Sequence, residues 1–194
     1  SRSDVLNSKK QLIAVGRFVE KKAPYLTILA FKKVQERFPD ATLIMVGDGP
    51  LLDVCTQIIK AFGISKSVSL VGSLPHAEVA MHMQSSRAFV QHSLSPASGD
   101  SEGTPNTILE AQACGLPIIS TKHAGIKDVV IHGETGYLVE EGDIDNMARY
   151  MIELLGNPEL SAKIGSNGRK HVAENYTIEK SIAGLKLILK NCMN

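Results

Sequence analysis

The sequence predicts an α/β fold: a Rossmann-like, open parallel β-sheet of about six strands with helices on both faces. Short apolar runs alternate with longer amphipathic patterns, as expected when strands are joined by helical crossovers. Several of the short runs are continuously apolar, which is typical of parallel strands buried on both faces. Each of the first five runs ends in Gly or a polar residue before a helical pattern begins. These features favour right-handed strand–helix–strand units in a single sheet.

The predicted elements follow in a regular order. The strand candidates are the apolar runs at 12–15, 42–46, 68–71, 88–90, 118–120 and 137–139. The helix candidates lie at about 24–38, 50–62, 76–85, 104–115, 144–155, 158–164 and 177–189. In the first helix, one apolar face is expected to meet the core through Leu26, Leu29, Ala30, Val34 and Phe38.

Several helix ends carry their own signals. Pro50 suits the first position of the second helix, and Gly63 is suited to the C-cap role after it. Asp143 and Thr177 are candidate N-caps for the helices that follow them. The Asp143–Asp145 pair has the letters of a metal-binding DxD motif, but its place at a helix entry indicates capping instead.

Composition fits one soluble domain. The chain has 194 residues, of which 43% are hydrophobic and 21% charged, so a full core is available. We expect residues 1–10 to be a linker or boundary and 11–194 to form the domain. Lysine and arginine (21) nearly balance aspartate and glutamate (20), giving a net charge of +1. This balance argues against nucleic acid as a partner and predicts that any anion site is local.

Cysteine usage and the lack of long apolar segments bear on location. The three cysteines, Cys55, Cys114 and Cys192, are odd in number and share no CxxC spacing, which fits a reducing compartment. The N-terminus lacks the apolar core of a signal peptide, and no apolar run is long enough to cross a membrane. We expect a cytoplasmic protein, either free or peripheral on the cytoplasmic face of the membrane.

The loop after the first strand reads GRFVEKKAP and is the first candidate anion site. In open parallel sheets, ligands bind beyond the carboxyl ends of the strands. Arg17 and Lys22 lie there and could converge on one phosphate group. The alternative is that both are solvated surface cations. The loop lacks GxGxxG, which disfavours a dehydrogenase.

The stretch DSEGTPNTILEAQACGLP is the second candidate site. Thr104 and Pro105 have the character of an N-cap and a first helical residue, so the amides of Asn106, Thr107 and Ile108 would face an anion. These donors and the positive end of the helix dipole favour a phosphate.

Two glutamates flank that helix start. Glu102 precedes the cap, after which Gly103 allows close backbone approach. Glu110 lies among apolar residues, where a carboxylate needs strong donors such as ribose hydroxyls. A nucleotide sugar has a ribose, a diphosphate and a further polar group in this order. The alternatives are a surface or capping role for Glu102 and a partnered core position for Glu110.

Several ordered motifs resemble one family. They cover about residues 10–180 and comprise the E-x7-E pattern from Glu102 to Glu110, the G-R-x4-K pattern of Gly16, Arg17 and Lys22, VGDGP at 46–50, HAGIKDVV at 123–130 and GETGYLV at 133–139 followed by EEGD. The chain resembles the C-terminal, donor-binding half of a GT-B glycosyltransferase of family 4 (glycosyl transferases group 1). The segment before Glu102 is most similar to the bacterial exopolysaccharide and colanic-acid branch.

The resemblance implies a retaining hexosyltransferase that uses a UDP- or GDP-linked sugar as substrate, with no metal or other cofactor. It implies catalytic roles for Glu102, which would hold hexose hydroxyls, and for Arg17 and Lys22, which would neutralise the leaving diphosphate. Donor-binding positions would be Gly16, Gly103, Thr104, Pro105, Asn106 and Thr107 around the phosphates and sugar, Glu110 at the ribose, and Gly72 and Leu74 near the base. Among the histidines only His123 is expected near the site.

The resemblance also implies partners that this sequence does not contain. Family members have a second, N-terminal domain of the same chain, which binds a glycan or lipid-linked acceptor. We therefore expect this 194-residue chain to bind a nucleotide weakly and to transfer no sugar alone. Ala23 and Asp128 depart from the usual Gly and Glu of the family pattern. A non-catalytic nucleotide-binding module and a GT-B-shaped sugar epimerase remain alternatives.

Overall fold

The computed structural model describes residues 9–96 and 106–177. Four predicted site residues, Glu102, Gly103, Thr104 and Pro105, therefore lie outside the described residues. So do most of the predicted linker, the body of the helix predicted at 177–189, and Cys192.

The described residues form one open sheet of six parallel strands, in the order β3-β2-β1-β4-β5-β6. The strands are β1 (Gln11–Val15), β2 (Thr42–Val46), β3 (Val68–Leu70), β4 (Ala88–Gln91), β5 (Ile118–Thr121) and β6 (Gly136–Val139). In the centre of the sheet, Ile13 pairs with Ile44 of β2 on one side and with Phe89 of β4 on the other. The predicted fold class is confirmed, with strand bounds shifted by one residue at most.

Seven α-helices connect or follow the strands within the described ranges. They are α1 (Pro24–Arg37), α2 (Leu52–Ala61), α3 (His76–Gln84), α4 (Asn106–Ala113), α5 (Ile126–Val129), α6 (Ile144–Gly156) and α7 (Pro158–Asn175). A short 3-10 turn, Glu20–Lys22, precedes α1. Pro50 was expected to begin α2 but lies in the preceding turn, where the Leu52 N–H donates to the Gly49 carbonyl at 3.0 Å.

The core has two layers, one on each face of the sheet. Along β1, Leu12 and Ala14 join the apolar cluster beneath α1, α2 and α6, whereas Ile13 joins the cluster beneath α3, α4 and α5. This alternation is the period-two pattern of a strand buried on both sides. The expectation of helices on both faces is thus confirmed.

The buried face of α1 differs from the predicted one. Ile28, Phe31 and Val34 are fully buried, but Leu26 and Leu29 are only half-buried. Apolar residues occur nearly all round this helix, so helical periodicity alone could not identify the side that meets the sheet.

Two predicted caps are present. Asp143 accepts a hydrogen bond from the Asn146 N–H at 3.0 Å at the start of α6. Gly63 has φ +66° after α2. Its N–H donates to the Lys60 carbonyl at 3.0 Å, and the Ile64 N–H donates to the Ile59 carbonyl at 3.2 Å. This pair of bonds is a Schellman motif, which satisfies the last carbonyls of the helix.

Helix α7 continues well past residue 164, where the sequence pattern predicted its end. Gly165 is buried within it, and a Cβ there would lie 1.9 Å from the Gly115 carbonyl oxygen. The glycine therefore serves close packing of α7 against the end of α4, at the cost of its poor helix propensity. None of the helices in the described part of the chain is long and apolar enough to span a membrane.

The sheet order places a topological switch between β1 and β4. From β1 the chain proceeds outward through β2 and β3, and it then returns to the other side of β1 to form β4. Loops from these two strands leave the carboxyl edge in opposite directions and open a crevice between them. The residues that follow β1 and β4 are therefore the first place to look for a ligand site.

Candidate functional site

A cleft of about 670 Å³ lies beyond the carboxyl ends of the central strands. Its size suits a small organic ligand. Four segments line it, each following a strand or starting a helix: Val15, Gly16 and Arg17; Val46, Gly47, Asp48 and Gly49; Ser73, Leu74, His76 and Val79; and Asn106, Thr107 and Glu110.

The cleft brings the first loop and the start of α4 together. Arg17 is exposed and lines the same cleft as Asn106 and Thr107, the first two residues of α4. The amides of a first helical turn have no acceptor within the helix, and the helix dipole makes this end positive. A guanidinium and a helix N-terminus thus face one hollow, a combination suited to an anion.

Glu110 lies on the cleft side of α4 rather than within its apolar face. Its neighbours Ile108 and Ala111 are fully buried in the core, whereas Glu110 is only half-buried and lines the cleft. The sequence-based expectation of a carboxylate buried among apolar residues is therefore wrong. The helical turn directs this acid toward the cleft because residues 108 and 111 occupy the opposite side.

Lys22 reaches back over the start of the same loop. A Cβ on Gly16 would lie 3.5 Å from the Lys22 Cε, so the lysine stem runs alongside that glycine. The Lys22 Nζ donates a hydrogen bond to the Gln91 Oε1 at 3.2 Å. Gly16, Arg17, Lys22 and Gln91 share a small pocket of about 20 Å³ that adjoins the main cleft. The structure therefore places both predicted cations at the switch between β1 and β4.

The loop after β2 (VGDGP, 46–50) forms one wall of the cleft, and its two glycines contact the backbone of the loop after β1. A Cβ on Gly47 would lie 2.0 Å from the Gly16 carbonyl oxygen, and one on Gly49 would lie 2.6 Å from the Phe18 carbonyl oxygen. The Phe18 N–H also donates to the Asp48 carbonyl at 2.9 Å. Only glycine permits this approach, so the loop after β2 holds the loop that carries Arg17. Sequence reasoning found the motif but not this function.

The loop after β3 contributes in part as predicted. Leu74 lines the cleft together with Ser73. Gly72 is not among the cleft-lining residues, and its carbonyl accepts the Gly47 N–H at 2.8 Å. Gly72 thus supports the loop after β2.

Among the described residues, His76 at the start of α3 is the histidine that lines the cleft. His123 was the one expected near the site, but it is buried and its Nδ1 lies 2.6 Å from the Glu141 Oε1. The His123 ring thus links the loop after β5 to Glu141 in the loop after β6.

The loop after β6 forms hydrogen bonds with the loops after β4 and β5. The Glu141 carboxylate accepts the Ser95 N–H at 2.8 Å and contacts His123. The adjoining Gly142 N–H donates to the His92 Nε2 at 2.8 Å. Burial acts to raise the pKa of Glu141, but hydrogen bonds from Ser95 and His123 together outweigh it and lower that pKa. EEGD therefore supports residues 92–95, which follow β4.

Metal-binding residues do not cluster in the described ranges, where no group of three or more His, Cys, Asp or Glu could hold an ion. Of the DxD pair, Asp143 caps α6, and Asp145 forms an ion pair with Lys33 at 2.8 Å.

Comparison with known proteins identifies the family of this chain. The family model for glycosyl transferases group 1 matches residues 2–171. The chain belongs to this family. As a group 1 glycosyltransferase sequence, it is 32% identical over 184 residues to N-acetyl-alpha-D-glucosaminyl L-malate synthase of Bacillus anthracis, covering 95% of this chain and 46% of that protein. It is 28% identical over 180 residues to the putative colanic acid biosynthesis glycosyltransferase WcaL of Salmonella typhimurium, covering 90% and 44%.

The fold of this group 1 glycosyltransferase domain is also that of solved structures. The Anabaena protein Alr3699/HepE, crystallised in complex with UDP, superposes with a TM-score of 0.84 at 20% identity, covering 98% of this chain and 53% of that one. The chain spans about half the length of the curated relatives it matches.

Proposed function

We propose that this chain is the donor-binding half of a retaining hexosyltransferase, which transfers a hexose from a nucleoside-diphosphate sugar to a glycan or lipid-linked acceptor in polysaccharide biosynthesis. The observation that carries the proposal is the shared cleft of Arg17 with Asn106, Thr107 and Glu110. The likeness to WcaL supports the polysaccharide context, and the UDP in the HepE crystal supports a nucleotide donor.

The proposed donor position assigns a task to each described group. Arg17 and Lys22 would stabilise the charge that develops on the diphosphate as the bond to the anomeric carbon breaks. The first amides of α4 would bind phosphate oxygens, since they lie at the positive end of the helix. Glu110 would accept hydrogen bonds from ribose hydroxyls at the cleft wall, and Leu74 would contact the base.

Nucleotide binding is the first test. Calorimetric titration of the 194-residue chain with UDP, GDP and ADP should reveal one preferred diphosphate. Arg17→Ala and Lys22→Ala should each weaken its binding by about ten- to a hundredfold, the range for a charged hydrogen bond. Arg37→Ala, at the last residue of α1, is a matched control that should bind the diphosphate as tightly as the wild type does. Unchanged diphosphate affinity in Arg17→Ala would refute the proposed position.

Sugar transfer is the second test, and it needs a longer chain. In a protein that includes the proposed N-terminal acceptor domain, Glu102→Ala should abolish transfer while nucleotide binding is largely kept. A non-catalytic module would show no transfer in the unsubstituted protein, and an epimerase would convert the donor without using an acceptor. Transfer to a defined acceptor by the 194-residue chain alone would contradict the need for a second domain.

A further inference from the structure

We propose that Gln91 is a positioning residue, which holds the Lys22 ammonium at the anion site with a neutral amide. This inference rests on the proposed function. Gln91 is the last residue of β4 and is 4% exposed. Its Oε1 accepts the hydrogen bond from the Lys22 Nζ at 3.2 Å. The contact bridges the loop after β1 and the end of β4, where the topology opens the ligand crevice.

The Lys22 ammonium can only donate, so the oxygen end of the Gln91 amide faces it and the Nε2 end lies toward Ser93. The Gln91 Nε2 donates to the Ser93 Oγ at 2.9 Å. Ser93 is itself fixed to β5, because the Thr121 Oγ1 donates to the Ser93 carbonyl at 2.7 Å and accepts the Ser93 N–H at 3.1 Å. A flipped amide would place NH₂ against an ammonium, two donors facing each other. The amide oxygen therefore faces Lys22, and Ser93 provides an acceptor for the opposite end of the amide.

The surroundings of the amide indicate why it is neutral. The described residues that line the small pocket include Arg17, Lys22 and Gln91 but no acidic side chain. A glutamate in place of Gln91 would keep the contact geometry but add a negative charge beside Lys22. That charge would attract the ammonium and repel an incoming diphosphate. An amide orients the lysine without this competition.

The neutral-amide role predicts an unusual ranking of variants. Gln91→Glu is the near-isosteric change, yet it should weaken diphosphate binding by about tenfold or more, because it adds a like charge next to the phosphates. Gln91→Met loses the hydrogen bond without adding charge and should weaken binding by about threefold. A packing role alone predicts the opposite ranking, since Glu matches Gln more closely in shape.

The experiment uses the 194-residue chain and the diphosphate, among UDP, GDP and ADP, that the wild type binds most tightly. Ligand-observed NMR measures the affinity of each variant for this diphosphate and for its parent nucleoside. Thermal melting verifies that each variant is folded. Gln57→Glu, on an exposed position of α2, is the control for the same charge change. Nucleoside affinity should stay within about twofold in every variant, because the amide acts only on the phosphate end.

Each outcome decides a separate point. Absence of diphosphate binding by the wild type would overturn the proposed function and this inference with it. If the wild type binds but Gln91→Glu matches Gln57→Glu, or binds more tightly than Gln91→Met, only the role of Gln91 is overturned.

A second variant covers the case in which Gln91→Glu does not fold. Ser93→Ala then tests the role, since it removes the acceptor of the hydrogen bond that holds the Nε2 end of the Gln91 amide. It should lower diphosphate affinity about threefold with nucleoside affinity unchanged. Diphosphate affinity equal to that of the wild type would overturn the role of Gln91.

Discussion

Protonation of His92 should destabilise the folded chain in mild acid. The residue is fully buried after β4, and its Nε2 accepts the Gly142 N–H at 2.8 Å. Burial lowers the pKa of His92 from 6.5 to about 4, although the nearby Glu141 and Asp143 act in the opposite direction. Protonation of Nε2 would remove the acceptor and set two donors against each other.

The sign and size of the effect follow from linkage. The folded-state pKa of His92 lies below the unfolded one, so the unfolded chain binds more protons between these two values. The contribution to stability is complete above about pH 6.5 and is lost as the pH falls toward 4. Between pH 7 and pH 5 the two pKa values give a loss of about 2 kcal/mol in the free energy of unfolding.

Urea unfolding at pH 7, 6 and 5 measures this loss. His92→Gln retains an acceptor but cannot take up the proton, so its free energy of unfolding should fall by about 2 kcal/mol less than that of the wild type. Glu141 and Asp143 have lowered pKa values and lose their contribution only at more acid pH, outside this window. His76→Gln, at an exposed ring, is the matched control. Parallel pH curves for the wild type and His92→Gln would refute the reasoning.

Two further predictions concern packing, and both are checked by urea unfolding at pH 7. Gly47→Ala should cost about 3 kcal/mol or more, because φ is +135° and the new Cβ would meet the Gly16 carbonyl. Gly63→Ala, which has open space around it, should cost only about 1 kcal/mol, and equal costs would contradict the contact argument. Gln112→Met should raise the free energy of unfolding by about 1 kcal/mol, because the fully buried Gln112 amide makes no hydrogen bond among the described residues. A lower stability of Gln112→Met would show that the amide has a partner.

Strands and the helices with clear end signals could be predicted from the sequence. Buried parallel strands are continuous apolar runs, and Asp143 and Gly63 act locally, so neither depends on distant residues. Helix α5, with four residues, was not predicted because so short a segment has no periodicity to detect. The length of α7 could not be predicted either, since Gly165 breaks the local pattern and is explained only by the backbone it meets across the helix pair.

The candidate site was predictable to the extent that it follows strand ends. That rule selected Arg17, Lys22, Asn106 and Thr107, which the structure brings to one edge. The rule gives no side-chain direction, however. It could not show that Glu110 turns toward the cleft or that Gln91 meets Lys22, because those contacts depend on the packing of α4 and on hydrogen bonds between separate strands.

The backbone contact of Gly47 and Gly49 with the loop after β1 affects how a ligand would bind. Main-chain atoms, rather than rotatable side chains, set the shape of that wall. Because packed main-chain atoms form this wall, a ligand that binds against it would cause little loss of conformational entropy on this side of the cleft. Substitutions of surface side chains around this wall should therefore leave its shape unchanged. Selectivity among ligands would then depend mainly on residues on the opposite side of the cleft.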